Sequence, residues 1–259
     1  CTEITLHTKA SKYNEGKKVE TGETAVCNLG SINLTKHLNE VYKIDGSLSK
    51  RAINYTRLHE TIKLAVRMLD NVIDLNFYPT EEASNSNLKN RPIGLGLMGT
   101  HDVLHMLNIP FDSDEAITLN DEIFENYSHY AILASSELAK ERGKYDTYDG
   151  SLWDEGIFPI DSWKRLMDYR GKEADVSTRW NHDSVREHVR EYGMRNSNVM
   201  AIAPTATIGY INGVEQSIEP NFSVLFVYEN KSGNFYITNE HFVKDMKKEG
   251  LWSLEASSS

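Results

Sequence analysis

Cysteine is scarce in this sequence: 259 residues carry two, Cys1 and Cys27. That excludes a secreted disulfide scaffold and fits a reducing cytoplasm, where both thiols stay free. Positive charge is also short, with 28 Lys and Arg against 38 Asp and Glu and a formal net charge of −10. General nucleic-acid binding needs a basic surface, so no nucleic-acid partner is expected. A local basic pocket for a phosphorylated small molecule stays open. No apolar run approaches the ~20 residues of a membrane span. The opening stretch CTEITLHTKASKYNEGKK is too polar for a signal peptide. An initiator Met is missing as well, so residue 1 reads as a processing point, an expression boundary or a gene junction. There is no Walker-type Gly-Lys-Ser/Thr loop, which removes a P-loop phosphotransferase.

What is present is ordinary for a globular chain, 39% apolar and 25% charged. The length suffices for one large domain or two small ones. No internal repeat and no dividing linker stand out. Ile4-Thr5-Leu6 is a short strand candidate, 9–23 a polar loop, and 24–29 a buried strand leading into a short helix near Leu34. Residues 50–76 place Ile53, Leu58, Ile62, Ala65, Leu69, Val72 and Ile73 on one helical face. Pro79 and a polar stretch follow. PIGLGLM at 92–98 predicts a strand, and 100–107 a helix. Residues 113–142 form another helix, with Ile117, Ile123, Tyr127, Ala131 and Leu138 inward and Gly143 at its end. Residues 145–195 are mixed. NVMAIA at 198–203 and Asn221 to Tyr228 predict strands, and 239–250 a helix. Alternating strands and helices make the fold class α/β. The tail at 255–259 reads as disordered or added.

Several segments invite chemistry. In NVMAIAPTATIGY a strand ends in a small-residue turn that opens a helix. Free N–H groups there suit an anion, and Thr205 and Thr207 add hydroxyls. An N-capping threonine in a tight turn explains the same residues equally well. Cys1-Thr2-Glu3 on an extended segment turns a thiol and a carboxylate to one side. That pair suits hydrogen-atom and proton movement, whereas chance at a frayed terminus is the plainer account. Cys27, in an apolar run, reads as a small buried hydrophobe. His101 and His105 lie four apart but have no third ligand, so they read as surface residues and no metal site is expected. Asp112-Ser113-Asp114-Glu115 favours a helix start over a metal loop. Gly94, Gly96 and Gly99 outline a dinucleotide-like fingerprint without the later acidic residue, and read as close strand–helix packing.

Together, CTEITL, AVCNLGSINL, RPIGLGLMG, APTATIGYI with SIEPNF, and KKEGLW resemble the large, catalytic subunit of ribonucleotide reductases, in the family's order. The resemblance spans nearly the whole chain except the last few residues. It implies that 1–254 form roughly the second half of a ten-stranded α/β barrel. It also implies radical reduction of a ribonucleotide, most naturally a diphosphate, at its 2′-hydroxyl. Cys1 then corresponds to the thiyl radical that abstracts the 3′-hydrogen, and Glu3 to the base that takes the 3′-hydroxyl proton. Cys27 corresponds to one of two cysteines that reduce the substrate and end as a disulfide. Its partner lies earlier in the family chain, so a Cys1–Cys27 bridge is not expected. Substrate binding falls to Cys1, Thr2, Glu3 and the turn Pro204, Thr205, Ala206, Thr207 and Ile208, through backbone contact at Ala206.

The family pattern also has parts this sequence does not contain. The Asn before the radical cysteine, the first half of the barrel, the radical-relay tyrosines and the swinging cysteine pair are not in these residues. The implied partners are an N-terminal half of the catalytic subunit, a small subunit that generates the radical, and a second copy of the assembled catalytic subunit. No cofactor is expected on this chain itself. CTEI and PTATIG favour a radical from a separate metal-containing subunit, with adenosylcobalamin as the alternative source. An external dithiol protein such as thioredoxin or glutaredoxin would restore the thiols. A cysteine at residue 1 also suits an intein junction, since that side chain accepts the transferred acyl group. A split gene explains the same start, and an inactive fragment with only a binding role is the non-enzymatic alternative.

Overall fold

The computed structural model describes residues 3–46, 48–174, 176, 179 and 181–253. In chain order its strands and helices are β1 (Lys12–Asn14), β2 (Lys17–Glu20), β3 (Leu29–Asn33), β4 (Leu38–Tyr42), β5 (Leu48–Ile53), α1 (Tyr55–Leu75), α2 (Glu81–Asn90), β6 (Gly94–Met98), α3 (Thr100–Leu107), α4 (Asp114–Arg142), α5 (Pro159–Tyr169), α6 (Asp183–Tyr192), α7 (Ala206–Asn212), β7 (Leu225–Asn230), β8 (Gly233–Thr238) and α8 (Glu240–Lys248). A 3-10 turn at Leu34–His37 links β3 to β4. The mixed helix and strand content agrees with the α/β expectation. No helix among the described residues is long and apolar enough to cross a membrane.

The chain divides into two compact units, each assembled from three stretches. The first takes the described residues within 1–32, 54–97 and 118–203, and the second those within 33–53, 98–117 and 204–259.

In the first unit β6 is buried along its whole length, as a strand flanked on both sides must be. It pairs with β3 on one side. On the other, Leu95 bridges Met200 in parallel: Leu95 N donates to Val199 O at 2.9 Å and Ala201 N to Leu95 O at 2.8 Å. Helix α1 starts at Tyr55 rather than near residue 50, because 48–53 pair antiparallel with β4. Asn54 caps it, its side chain accepting from Arg57 N at 3.0 Å. Its inward stripe is Leu58, Ile62, Val66, Asp70 and Ile73, so Val72 turns to solvent. A charged residue in that stripe is tolerated because it is fully paired. Asp70 accepts from Arg91 Nε at 2.9 Å, Asn196 Nδ2 at 3.1 Å and Arg142 at 3.1 Å. Helix α4 buries Ile123, Tyr127, Ala131 and Leu138 as expected. Ile117 is exposed, and Ala116 takes the inward position.

The polar loop expected at 9–23 contains the β1–β2 hairpin instead. The strand expected at 24–29 begins only at Leu29. In its place Thr24 N donates to Glu82 O and Val26 N to Asn87 Oδ1, so α2 satisfies this backbone. In the second unit β4–β5 and β7–β8 are antiparallel hairpins, and Leu34, Ile53, Met98, Val103, Leu104 and Ala116 are its buried apolar residues.

Candidate functional site

In the first unit the chain enters beside β6. The Ile4 side chain lies 3.7 Å from where a Gly94 Cβ would stand, a position also within 2.5 Å of Leu29 Cδ2 and 2.8 Å of Ala201 Cβ. The three strand segments approach closely there because β6 carries glycine, as the close-packing reading of Gly94 and Gly96 expected. Glu3 immediately precedes Ile4. Its Oε2 is buried and has no hydrogen-bond partner among the described residues. A buried acceptor without a donor is costly, and native structures keep such groups where they have work to do. Cys1 and Thr2 lie outside the described residues. Cys27 is exposed rather than buried, a free thiol two residues before β3. The reason is local: its run of small apolar residues is tied to α2 and does not enter the buried sheet.

In the second unit the turn at 204–208 leads directly into α7. Thr205 adopts the left-handed conformation (φ 54, ψ 25) and precedes α7, and no side chain caps that helix. Thr205 thus holds the N-cap position without a side-chain cap bond. The Thr205 hydroxyl faces inward and accepts from Ser217 N at 2.8 Å. Thr205 is buried, while Pro204, Ala206, Thr207 and Ile208 are exposed. The first helical bond is Gly209 N to Thr205 O at 2.7 Å. The N–H groups before it have no acceptor within the helix and sit at its positive end.

Sequence reasoning missed the polar cluster behind this turn. Asp102, on α3, accepts from Glu215 N at 2.6 Å and faces His241 Nε2 at 3.2 Å. His101 Nδ1 lies 2.9 Å from Asn221 Oδ1, and the His105 and His241 rings stack at 5.3 Å. His101 and His105 are thus half-buried and in contact with neighbouring side chains rather than fully solvated. Burial, then the Asp102 charge, pushes the Glu215 carboxyl up from its ordinary value. Burial, then His101 and His241, pushes His105 down. The only sequence signal was His-Asp directly after the Gly99 turn, which spacing rules for metals do not interpret. Among the described residues no group of three or more His, Cys, Asp or Glu side chains is arranged to hold a metal ion.

A cavity of about 590 Å³ in the first unit is lined by Phe124, His129, Phe158, Trp163 and His182 among others, and by none of the residues singled out in the sequence. Glu23 borders a second, of about 320 Å³. Burial raises that carboxyl, but hydrogen bonds from Lys89 at 2.7 Å and Asn90 at 2.9 Å outweigh it and hold it below its ordinary value.

Over residues 1–259 the sequence matches the family described as ribonucleotide reductase, barrel domain. It is 50% identical over 258 residues to the ribonucleoside-diphosphate reductase subunit alpha of Chlamydia pneumoniae, covering 98% of this chain and 23% of that protein. It is 40% identical over 230 residues to the ribonucleoside-diphosphate reductase large chain 2 of Saccharomyces cerevisiae, covering 89% and 25%. The ribonucleoside-diphosphate reductase large subunit of vaccinia virus is 37% identical over 255 residues, covering 98% and 29%. The chain thus spans about a quarter of the length of the curated relatives it matches.

Proposed function

The chain belongs to the ribonucleotide reductase barrel-domain family, and from that premise we propose that it forms part of the catalytic site of an enzyme reducing ribonucleoside diphosphates. The match along the whole sequence carries this reading, and the names of the relatives support the diphosphate substrate. Cys1, as a thiyl radical, takes the 3′-hydrogen atom of the ribose and later returns one. Glu3 takes the 3′-hydroxyl proton, a role its partnerless buried oxygen supports. Cys27 and a second cysteine supply the two electrons. The 2′-hydroxyl leaves as water, and the thiols end as a disulfide. The exposure of Cys27 suits a thiol that must meet both substrate and reductant. The uncapped turn at 204–208 holds the substrate phosphates through its backbone N–H groups, with Thr205 and Thr207 beside them.

The radical reaches Cys1 from a separate metal-containing small subunit, and a dithiol protein such as thioredoxin or glutaredoxin regenerates the cysteines. The remaining part of the catalytic subunit completes the barrel. The assembled enzyme works as a dimer in the cytoplasm. The test is deoxynucleotide formation from cytidine diphosphate by the assembled enzyme with dithiothreitol and the metal-loaded small subunit. Cys1→Ser should abolish turnover and leave assembly intact, because a serine hydroxyl does not carry the radical. Turnover by that variant would remove Cys1 from the proposed role. Product formed only with adenosylcobalamin would reassign the radical source.

A further inference from the structure

We propose that Asp102 is a positioning residue for the substrate phosphates, acting through the segment 213–217 that braces the 204–208 turn. The inference rests on the reading of that turn as the phosphate site.

Every link lies within the second unit. Thr205 and Ser217 both hold left-handed backbones (φ 54 and 51), a conformation that is strained for non-glycine residues. The two are joined by one bond, Ser217 N to the buried Thr205 Oγ1 at 2.8 Å. That bond holds only if the 213–217 segment stays in place; besides Gly213 N to Tyr210 O at 3.1 Å, three further contacts hold it. Gly99 N donates to Glu215 O at 2.9 Å, and Val214 N donates to Gly209 O at 3.0 Å. The third is the Asp102 carboxylate, 6% exposed, which accepts from Glu215 N at 2.6 Å.

Two glycines leave room for the segment. A Cβ on Gly99 would stand 3.2 Å from Val214 Cβ, and one on Gly209 would stand 3.1 Å from Val214 O. Asp102 is the only side chain among these contacts. Its other oxygen faces His241 Nε2 at 3.2 Å, which fixes the carboxylate's rotation. A charged acceptor on a backbone N–H is among the stronger hydrogen bonds. Two residues beyond Glu215 lies the N–H that holds Thr205. Without Asp102, Glu215 N is left unpaired and the brace behind the turn loosens. The cost then falls on holding the phosphates, not on chemistry at the sugar.

The experiment is steady-state reduction of cytidine diphosphate by the assembled enzyme carrying Asp102→Ala, Asp102→Asn or Thr207→Asp. Losing one braced hydrogen bond predicts for Asp102→Ala a rise in KM of about tenfold, with kcat within about twofold of wild type. Asp102→Asn keeps an acceptor for Glu215 N and should restore KM to near the wild-type value. Where the alanine variant does not fold, Asp102→Ser, with a hydroxyl too short to reach Glu215 N, takes its place with the same expectation. An unchanged KM in both the alanine and serine variants overturns the proposal. So does a fall in kcat equal to the rise in KM, or an asparagine variant as impaired as alanine. Thr207→Asp puts a carboxylate into the turn and should raise KM sharply. If it does not, the phosphate reading fails and this inference with it. If it does while Asp102→Ala leaves KM unchanged, only the role of Asp102 fails.

Discussion

Gly96 shows how much of the site is decided by single atoms. A Cβ there would stand 2.5 Å from the Ala201 carbonyl oxygen and 3.1 Å from Ser31 Oγ. The first of these is backbone in the neighbouring strand segment and has no rotamer by which to give way. Gly96→Ala should therefore force β6 away from residues 199–203, at a cost of about 1–3 kcal/mol from overpacking. Urea denaturation of the variant against wild type checks this, and an unchanged midpoint would mean that the strands yield freely. The close approach at Gly94 and Gly96 was legible in the sequence, because glycine inside an apolar strand weakens it unless another backbone comes close. The exposure of Cys27 was not. Its neighbours Ala25 and Val26 look like core, but burial depends on which element satisfies the backbone. Val26 N goes to Asn87 Oδ1 on α2, a partner 61 residues away that no local pattern announces.

Helices α4 and α6 meet around a pair of histidines, His129 and His182. His129, on α4, is held down to about 4 by burial first, then by the His182 and His59 charges, with Glu125 opposing. His182 precedes α6, its Nδ1 lies 3.0 Å from His129 Nδ1, and its Nε2 lies 3.1 Å from Glu125. The Tyr130 ring also faces His129. The folded-state value of His129 is depressed, so between 6.5 and about 4 the unfolded chain binds a proton that the native state refuses. Stability should fall as pH drops through that window, and His59, His105 and His188, all lowered chiefly by burial, add the same sign. His129→Gln should give a shallower loss of urea midpoint between roughly pH 7 and pH 5. Parallel curves for variant and wild type would clear His129 of the effect. Among the elements, α1 and α4 were legible because each buries a long stripe. The β1–β2 and β4–β5 hairpins were not, since their residues are almost all exposed and leave no alternation to read. Helix α2, EEASNSNLKN, has no apolar face, and half of its ten residues are Ser or Asn, which are weak helix formers. It stands on the Thr80 cap, 3.2 Å from Ala83 N, and on contacts such as Lys18 to Glu82 at 2.7 Å, which only the folded chain supplies.

Across the whole molecule the buried core is unevenly shared. The first unit contains the three-segment sheet around β6 and the long helices α1 and α4, and most of the buried apolar residues belong to it. The second relies on Leu34, Ile53, Met98, Val103, Leu104 and Ala116, while Ile211, Phe222 and Tyr236 remain more than three-quarters exposed. Among the described residues its named hairpin strands, β4–β5 and β7–β8, form two-stranded sheets, and a lone hairpin in water is marginal at best. Amides are protected in proportion to the free energy of the opening that exposes them, and openings at a marginal hairpin cost little. Hydrogen exchange on the 259-residue chain should therefore split. The β7–β8 ladder, from Leu225–Thr238 to Asn230–Gly233, should exchange at rates close to those of an unprotected peptide. The amides of Leu95 and Ala201, bonded across the buried sheet, should exchange only on unfolding of the first unit. Equal protection in both places would mean that the second unit draws on stability beyond its own small core, and that the chain unfolds as one cooperative body.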